Sequence, residues 1–371
     1  MPSRVLVFGM TDKRGGVESF LMNTTSSIDS SRVVFDYIVN TDTVAYEDEL
    51  QKRGSAVIHV PMRAEHPLSF YRYIDSFFKK NANRYDAIWV NVCSLANIDY
   101  LKYAKKYGIK TRVIHCHNSR NMDSRVRGLL HIFNKYRIRD YATDFWTCSD
   151  EATDWFYGAA IRHDANYRVI NNSVDVRKFE FNPLVRSAVR EEWGVTDNDI
   201  VVGNVGRLHP QKNQSFLIDA FSLVQKDLPG ATLFIAGQGE LKNQLQTRIE
   251  QTGLVGKIHL LGEIKDTASF YQGLDVFAFP SLYEGLSIAL LEAQANGVPA
   301  VISTGNPENA VINPNVIRIP TERLEGWAEA IKNSIGNRLA NSENRFAHSA
   351  FNSLSQSDFL EGFFLKAGRQ K

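Results

Sequence analysis

Cysteine is scarce in this chain, three in 371 residues (Cys93, Cys116 and Cys148). Their odd count and scatter exclude a disulfide framework and any close-paired metal knuckle, and they suit a reducing cytosol. An excess of one charge is also missing. With 43 Lys plus Arg against 41 Asp plus Glu, the formal net charge is only +2, so nothing global gives nucleic acid a hold. No apolar run approaches the roughly 20 residues of a membrane-spanning helix. Met1-Pro-Ser-Arg4 passes straight into apolar Val5-Leu-Val-Phe8, too short a lead for a signal peptide, so a cytoplasmic location is expected. Low-complexity linkers, short repeats and a complete G-x-G-x-x-G dinucleotide fingerprint are absent as well.

What is present is a soluble-type composition, 43% hydrophobic and 23% charged, in a chain long enough for two or three domains. Apolar β-rich runs alternate with helical patterns throughout. The strands expected are Val5–Phe8, Val33–Val39, Ala56–Val60, Ala87–Val90, Arg112–His115 and Phe145–Cys148. Six more follow at Val201–Val205, Thr232–Ala236, Ile258–Leu261, Asp275–Phe279, Ala300–Ile302 and Val316–Ile319. Helices are expected at Asn213–Lys226, Glu240–Thr252 and Leu286–Asn296, among others. Such alternation predicts an α/β fold with parallel sheets covered on both faces. Twelve strands are many for one such sheet, so two doubly wound Rossmann-like domains are expected. Turn-like Asn171-Asn-Ser-Val-Asp175 and Phe181-Asn-Pro183 mark the seam. The boundaries drawn are 1–178, 179–349 and a terminal helix over 350–371.

Several loops at strand ends carry chemistry. Gly15 and Gly16, after the first strand, would let backbone N–H groups approach a diphosphate at a helix N-terminus, although glycine pairs also close ordinary turns. Arg207 and Lys212, after Val201–Val205, offer a planar fork and a point charge that together suit a diphosphate leaving group; a solvated basic turn is the plainer alternative. Gly237 and Gly239 follow the next strand as a structural turn. His115 and His117 alternate on one strand, share a face and precede Asn118, which suits a substrate-contacting histidine. Asp197-Asn-Asp199 matches a metal-binding Asp-x-Asp pattern but precedes a strand, and reads as a chance match. The segment 120–139 holds six Arg or Lys against one Asp, with Val126, Leu129, Leu130, Phe133 and Tyr136 near helical spacing. It fits either peripheral contact with an anionic membrane or an amphipathic helix covering its own domain.

Two carboxylates stand out in Glu284-Gly-Leu-Ser-Ile-Ala-Leu-Leu-Glu292. A glycosidase pair needs carboxyls roughly 5 to 9.5 Å apart. Eight residues of one helix rise about 12 Å, a poor catalytic pair but a reasonable double grip on an elongated ligand. Glu284 at the helix mouth would hold a sugar, Glu292 a ribose, and Gly285 and Leu286 would face phosphate.

These residues together resemble the retaining glycosyltransferases of family 4, which have the GT-B fold. The resemblance rests on Gly206-Arg207 with Lys212, Phe234-Ile-Ala-Gly-Gln-Gly239, the E-x7-E motif Glu284…Glu292, and Gly297-Val-Pro-Ala-Val-Ile302. It is weaker in the first half, through Gly15-Gly16-Val17-Glu18 and the histidine strand, and the junction turn has Asn172-Ser173 where Asn-Gly is more usual. It implies a nucleotide sugar, commonly a UDP-hexose or UDP-N-acetylhexosamine, held in an interdomain cleft mostly by the second domain. Arg207 and Lys212 would bind the diphosphate, Glu284 the sugar, Glu292 the ribose, Gly16 the phosphate side and Ile264 the base. His117 would lie near the reacting sugar, with His115 as the fallback. The resemblance further implies retention by same-face attack, no cofactor or dedicated metal, and a last helix that crosses back to the first domain. A glycan or polyprenyl-diphosphate-linked acceptor of a bacterial surface polysaccharide is the acceptor expected, with the enzyme at the inner face of the cell membrane. A nucleotide-sugar epimerase of the same fold and a non-catalytic nucleotide-sugar-binding protein stay as alternatives.

Overall fold

The computed structural model describes residues 2–118, 124–340, 345 and 349–369. Two compact units divide the chain, 1–173 with 353–371, and 174–352.

The first unit is built on seven strands: β1 (Ser3–Phe8), β2 (Val33–Val39), β3 (Val57–His59), β4 (Ala87–Val92), β5 (Thr111–Cys116), β6 (Asp144–Thr147) and β7 (Tyr167–Val169). They form one sheet in the order β3-β2-β1-β4-β5-β6-β7, every neighbouring pair parallel. The second unit carries β8 (Val201–Val205), β9 (Thr232–Ala236), β10 (Ile258–Gly262), β11 (Val276–Phe279), β12 (Ala300–Ser303) and β13 (Val316–Ile319). Their order is β10-β9-β8-β11-β12-β13, again parallel throughout. Both units are Rossmann-like. Central strands such as Val33–Val39 and Thr232–Ala236 are buried along their whole length, as strands of a sheet covered on both faces must be; the one charge in the first, Asp36, is paired with Arg4 at 2.6 Å.

All twelve expected strands are present, with ends shifted by a residue or two. β7 was not expected. Tyr-Arg-Val is three residues long, half exposed, and sits at a sheet edge, so it has no apolar run to announce it. Each sheet reverses its strand order once, between β1 and β4 and between β8 and β11. Loops at the carboxyl ends of those strands flank the crevice where such folds bind ligands.

The boundary between units lies at Ser173–Val174 rather than at 178–179. The reason is packing. Phe179 is fully buried in the second unit, where its carbonyl accepts from Asn296 Nδ2 at 2.9 Å. The Val174 amide donates to the carbonyl of Phe351, so 351–352 also stay with the second unit. Arg186 and Arg190 of the helix Pro183–Glu192 clamp Asp275 at 2.6 and 3.1 Å. The terminal helix Ser353–Arg369 packs in the first unit. Ser3 Oγ donates to its Phe364 carbonyl at 2.8 Å, and the Phe364 ring meets Phe35 and Trp89, both at 5.7 Å.

Candidate active site

In the second unit the loop after β8 and the loop after β11 are stitched together. The Leu282 amide donates to the Gln211 carbonyl at 2.8 Å, and Gln211 Nε2 returns a bond to the Tyr283 carbonyl at 2.9 Å. On the other side the Glu284 amide donates to the Gly305 carbonyl at 2.9 Å. Gly305 has to be glycine, because a Cβ there would stand 2.3 Å from the Leu282 carbonyl oxygen. The helix starts at Ile288, after an extended Ser287, not at Leu286. Gly285 and Leu286 are loop residues, the first exposed and the second buried, which corrects their placement at the helix mouth. Glu284 and Glu292 do not share a helix.

The stitching sets Glu284 beside Lys212. Lys212 Nζ meets Glu284 Oε1 at 2.5 Å, with side-chain exposures of 17% and 8%. The ammonium also lies 4.8 Å from the centre of the Phe279 ring, at the end of β11. Its stem runs past Gly206, where an added Cβ would come within 3.3 Å of Lys212 Cδ. Arg207 is exposed on the same loop. A partly desolvated Lys–Glu pair, with an exposed Arg on the same loop, can exchange one anionic partner for another, as a diphosphate site requires. The β8 and β9 loops meet closely as well. Gly237 has φ +144°, and a Cβ on it would overlap the Gly206 carbonyl oxygen at 2.0 Å.

Glu292 is 8% exposed, inside the helix Ile288–Asn296. Tyr271 Oη donates to Glu292 Oε2 at 3.1 Å, and Thr267 Oγ1 lies 3.5 Å from Oε1. Burial outweighs these bonds and pushes its carboxyl up to about 7. The helix Thr267–Gly273 supplies both partners, and half-buried Ile264 lies in the turn that precedes it. Tyr271 and Thr267 escaped the sequence reading. They sit three and seven residues beyond Ile264, at a helical spacing that carries no motif of its own.

The first unit treats its crevice differently. Gly15 caps the helix Gly16–Thr25, but its amide donates to Glu18 Oε2 at 3.1 Å, while Thr11 Oγ1 donates to Glu18 Oε1 at 2.6 Å. The donor expected to face a phosphate is occupied by the chain's own carboxylate, which is 5% exposed and whose pKa burial raises. Gly16 is exposed at the first helical position.

His115 and His117 share a face, as expected, with rings 4.2 Å apart. They do not share an environment. His115 is fully buried, 4.9 Å from the Phe20 ring and 6.0 Å from Trp146, and neither ring nitrogen makes a well-formed hydrogen bond. It is a core residue. His117 lies over it, half-buried, with Nε2 2.9 Å from Asn91 Oδ1 of β4. Burial lowers its pKa to about 3, which keeps the imidazole neutral. Asn118 is half-buried, and its carbonyl accepts from Cys116 Sγ at 3.1 Å. Asp199 folds back onto its own turn, accepting from Thr196 N and Oγ1, both at 2.7 Å.

Residues 185–352 match the family model described as glycosyl transferases group 1. EpsF of Bacillus subtilis is 28% identical over 327 residues, 86% of this chain and 84% of that protein. The UDP-Gal:alpha-D-GlcNAc-diphosphoundecaprenol alpha-1,3-galactosyltransferase of Escherichia coli is 35% identical over 149 residues, 39% of this chain and 38% of that one. Among solved structures, HepE of Anabaena in complex with UDP-glucose superposes with a TM-score of 0.78 at 19% identity, covering 97% of this chain and 98% of that one. That likeness is one of fold.

Proposed function

We propose that this chain, a glycosyltransferase of the group 1 kind with the GT-B fold, moves a hexose or N-acetylhexosamine from a UDP-sugar to a glycan or lipid-linked acceptor in polysaccharide biosynthesis, with retention of anomeric configuration. The observation that carries the reading is the Lys212–Glu284 pair, held at 2.5 Å between the loops that end β8 and β11. On donor binding Lys212 turns from Glu284 to the diphosphate, Arg207 adds the second charge, and Glu284 accepts from sugar hydroxyls. Glu292, presented by Tyr271, takes the ribose, and the turn at Ile264 borders the base. Uracil as the base is supported by the HepE structure with UDP-glucose, and a lipid diphosphate acceptor by the substrate in the E. coli relative's name.

In the bond-changing step the acceptor hydroxyl approaches the anomeric carbon on the face from which the diphosphate leaves. The new C–O bond forms as the bond to phosphate breaks, and the hydroxyl proton passes to a phosphate oxygen. Lys212 and Arg207 stabilise the charge that develops there. Neutral His117 belongs, on this reading, to the first unit's acceptor chemistry. No resident cofactor or metal is invoked; the nucleotide sugar is a co-substrate.

A thermal-shift screen of UDP-, GDP- and ADP-sugars, followed by transfer of labelled sugar to polyprenyl-diphosphate acceptors, tests the proposal. A stability gain confined to UDP-sugars and labelled lipid product are expected. Interconversion of the donor sugar without transfer points instead to an epimerase, and saturable binding with neither reaction to a binding protein.

A further inference from the structure

The helix Arg125–Tyr141 lies between β5 and β6 in the first unit, and it is packed inside out. A helix that covers a sheet buries its apolar stripe. Here the buried residues are His131, Asn134 and Ile138. Polar bonds hold that side down. The Leu95 amide donates to His131 Nδ1 at 3.1 Å, Asn134 Nδ2 donates to the Leu95 carbonyl at 2.7 Å, and Trp155 stacks on the His131 ring at 4.1 Å. The apolar residues face outward instead. Val126 is 67% exposed, Leu129 68%, Ile132 53%, Phe133 57% and Tyr136 84%, with Leu130 at 41%. At about 100° per residue these six fall within an arc of about 160°, centred opposite the buried side. They are also six of the thirteen exposed large hydrophobic residues among those described.

Exposed Arg125 and Arg137 fall within that arc and Arg139 at its edge; Asp140, the single acid of the helix, is exposed near the arc's middle in the last turn, and Arg127 and Lys135 lie off it. Arg137 leans over the Phe133 ring at 5.2 Å. An outward apolar face rimmed by guanidinium groups is complementary to a bilayer with anionic headgroups, where apolar side chains enter the acyl boundary and cations stay at the phosphates. Of the 120–139 segment singled out in the sequence, residues 120–123 lie outside the described residues. The remainder is not the helix that covers its own domain with its apolar side.

We infer that the helix Arg125–Tyr141 is a membrane-docking element that lies in the plane of an anionic bilayer, with Val126, Leu129, Phe133 and Tyr136 as its inserted face. The inference deepens the proposed function and rests on its lipid-linked acceptor. The helix begins seven residues beyond Asn118, on the connection that leaves the histidine strand, so docking would bring that end of the first unit to the surface where such an acceptor is anchored.

The test uses the whole chain with extruded vesicles of phosphatidylcholine, with and without anionic phosphatidylglycerol. Wild type is expected to co-sediment with the anionic vesicles and at least about tenfold less with the neutral ones. Leu129→Ser/Phe133→Ser and, separately, Arg125→Gln/Arg137→Gln should each lose most of that binding. Every substituted side chain is exposed, so the melting temperature and the thermal shift given by UDP-sugars should stay at wild-type values. Equal sedimentation of wild type and both variants would overturn the inference, as would no binding of wild type to either vesicle. So would concentration-dependent self-association that the Leu129→Ser/Phe133→Ser change abolishes, which would make a second copy the occupant. Loss of vesicle binding with UDP-sugar binding intact supports docking; failure of UDP-sugar binding in wild type counts against the proposed function and not against docking.

Discussion

The two sheets have the same parallel topology and the same single reversal of strand order, yet the loops at their switch points are filled in opposite ways. In the second unit, the crevice between β8 and β11 holds a cation opposite a carboxylate, Lys212 and Glu284 at 2.5 Å, and the cation has an aromatic face under it. In the first unit, the glycine loop after β1 closes on its own Glu18, and the polar group beside it, His117, is neutral and tied to Asn91. Topology delivers loops to one edge of a sheet; it does not decide what those loops bind. One crevice is left with an exchangeable charge, and in the other the amide of the N-cap Gly15 is taken by the chain's own Glu18.

The comparison breaks most readily at Lys212. Lys212→Ala should lower kcat by about 10²–10³-fold, the scale seen when a group that stabilises transition-state charge is removed. Arg207→Ala should also lower it heavily. Near-wild-type turnover in both variants would remove the diphosphate assignment and, with it, the contrast between the crevices. Because Lys212→Ala strands a nearly buried Glu284, the double variant Lys212→Ala/Glu284→Gln separates the two contributions. It should recover thermal stability but not turnover.

Glu292 sharpens the comparison through pH. Its carboxyl titrates at about 7 when folded and near its ordinary 4.5 when unfolded. The folded state therefore holds the proton more tightly. The stability this confers is complete below about pH 4.5 and is lost as the pH rises through 7. A shift of this size corresponds to about 3 kcal/mol at most. Wild type should lose more melting temperature than Glu292→Gln between pH 5 and 8; parallel pH curves for the two proteins would show that Glu292 is not held protonated by the fold.

The smallest effect is expected in the first unit. Glu18→Ala removes the carboxylate that caps Gly15 and should cost about 1 kcal/mol of stability. The KM for the UDP-sugar should change by no more than about twofold. A large fall in donor affinity would mean that this loop takes part in donor binding after all, and that the two crevices are more alike than their side chains suggest.

Much of this was legible in the sequence, for a physical reason. Parallel strands buried on both faces must be largely apolar runs, so Val201–Val205 and Thr232–Ala236 announced themselves to the residue. The loop motifs were legible because Gly237 and Gly239 sit where backbones nearly touch. What stayed hidden were features decided by a distant partner. The course of the loop before Ile288 was hidden, because the acceptors for the Leu282 and Glu284 amides are on Gln211 and Gly305. The Gly15 amide looked available because its acceptor, three residues on, read as an ordinary helix glutamate. Helical periodicity located the stripe on Arg125–Tyr141 but not its direction, since the side that turns inward was fixed by His131, Asn134 and the Leu95 backbone.

The terminal helix Ser353–Arg369 also bears on the order of events during synthesis. The residues of the second unit are contiguous, 174–352, whereas the first unit needs 353–371 to be whole. Its Leu360 and Phe364 are fully buried against a sheet whose strands were made at the start of the chain. On the ribosome, the domain translated first is then the last to be completed, reversing the usual N-to-C order. A chain truncated after residue 352 should present a protease-resistant second unit beside a first unit still open to cleavage.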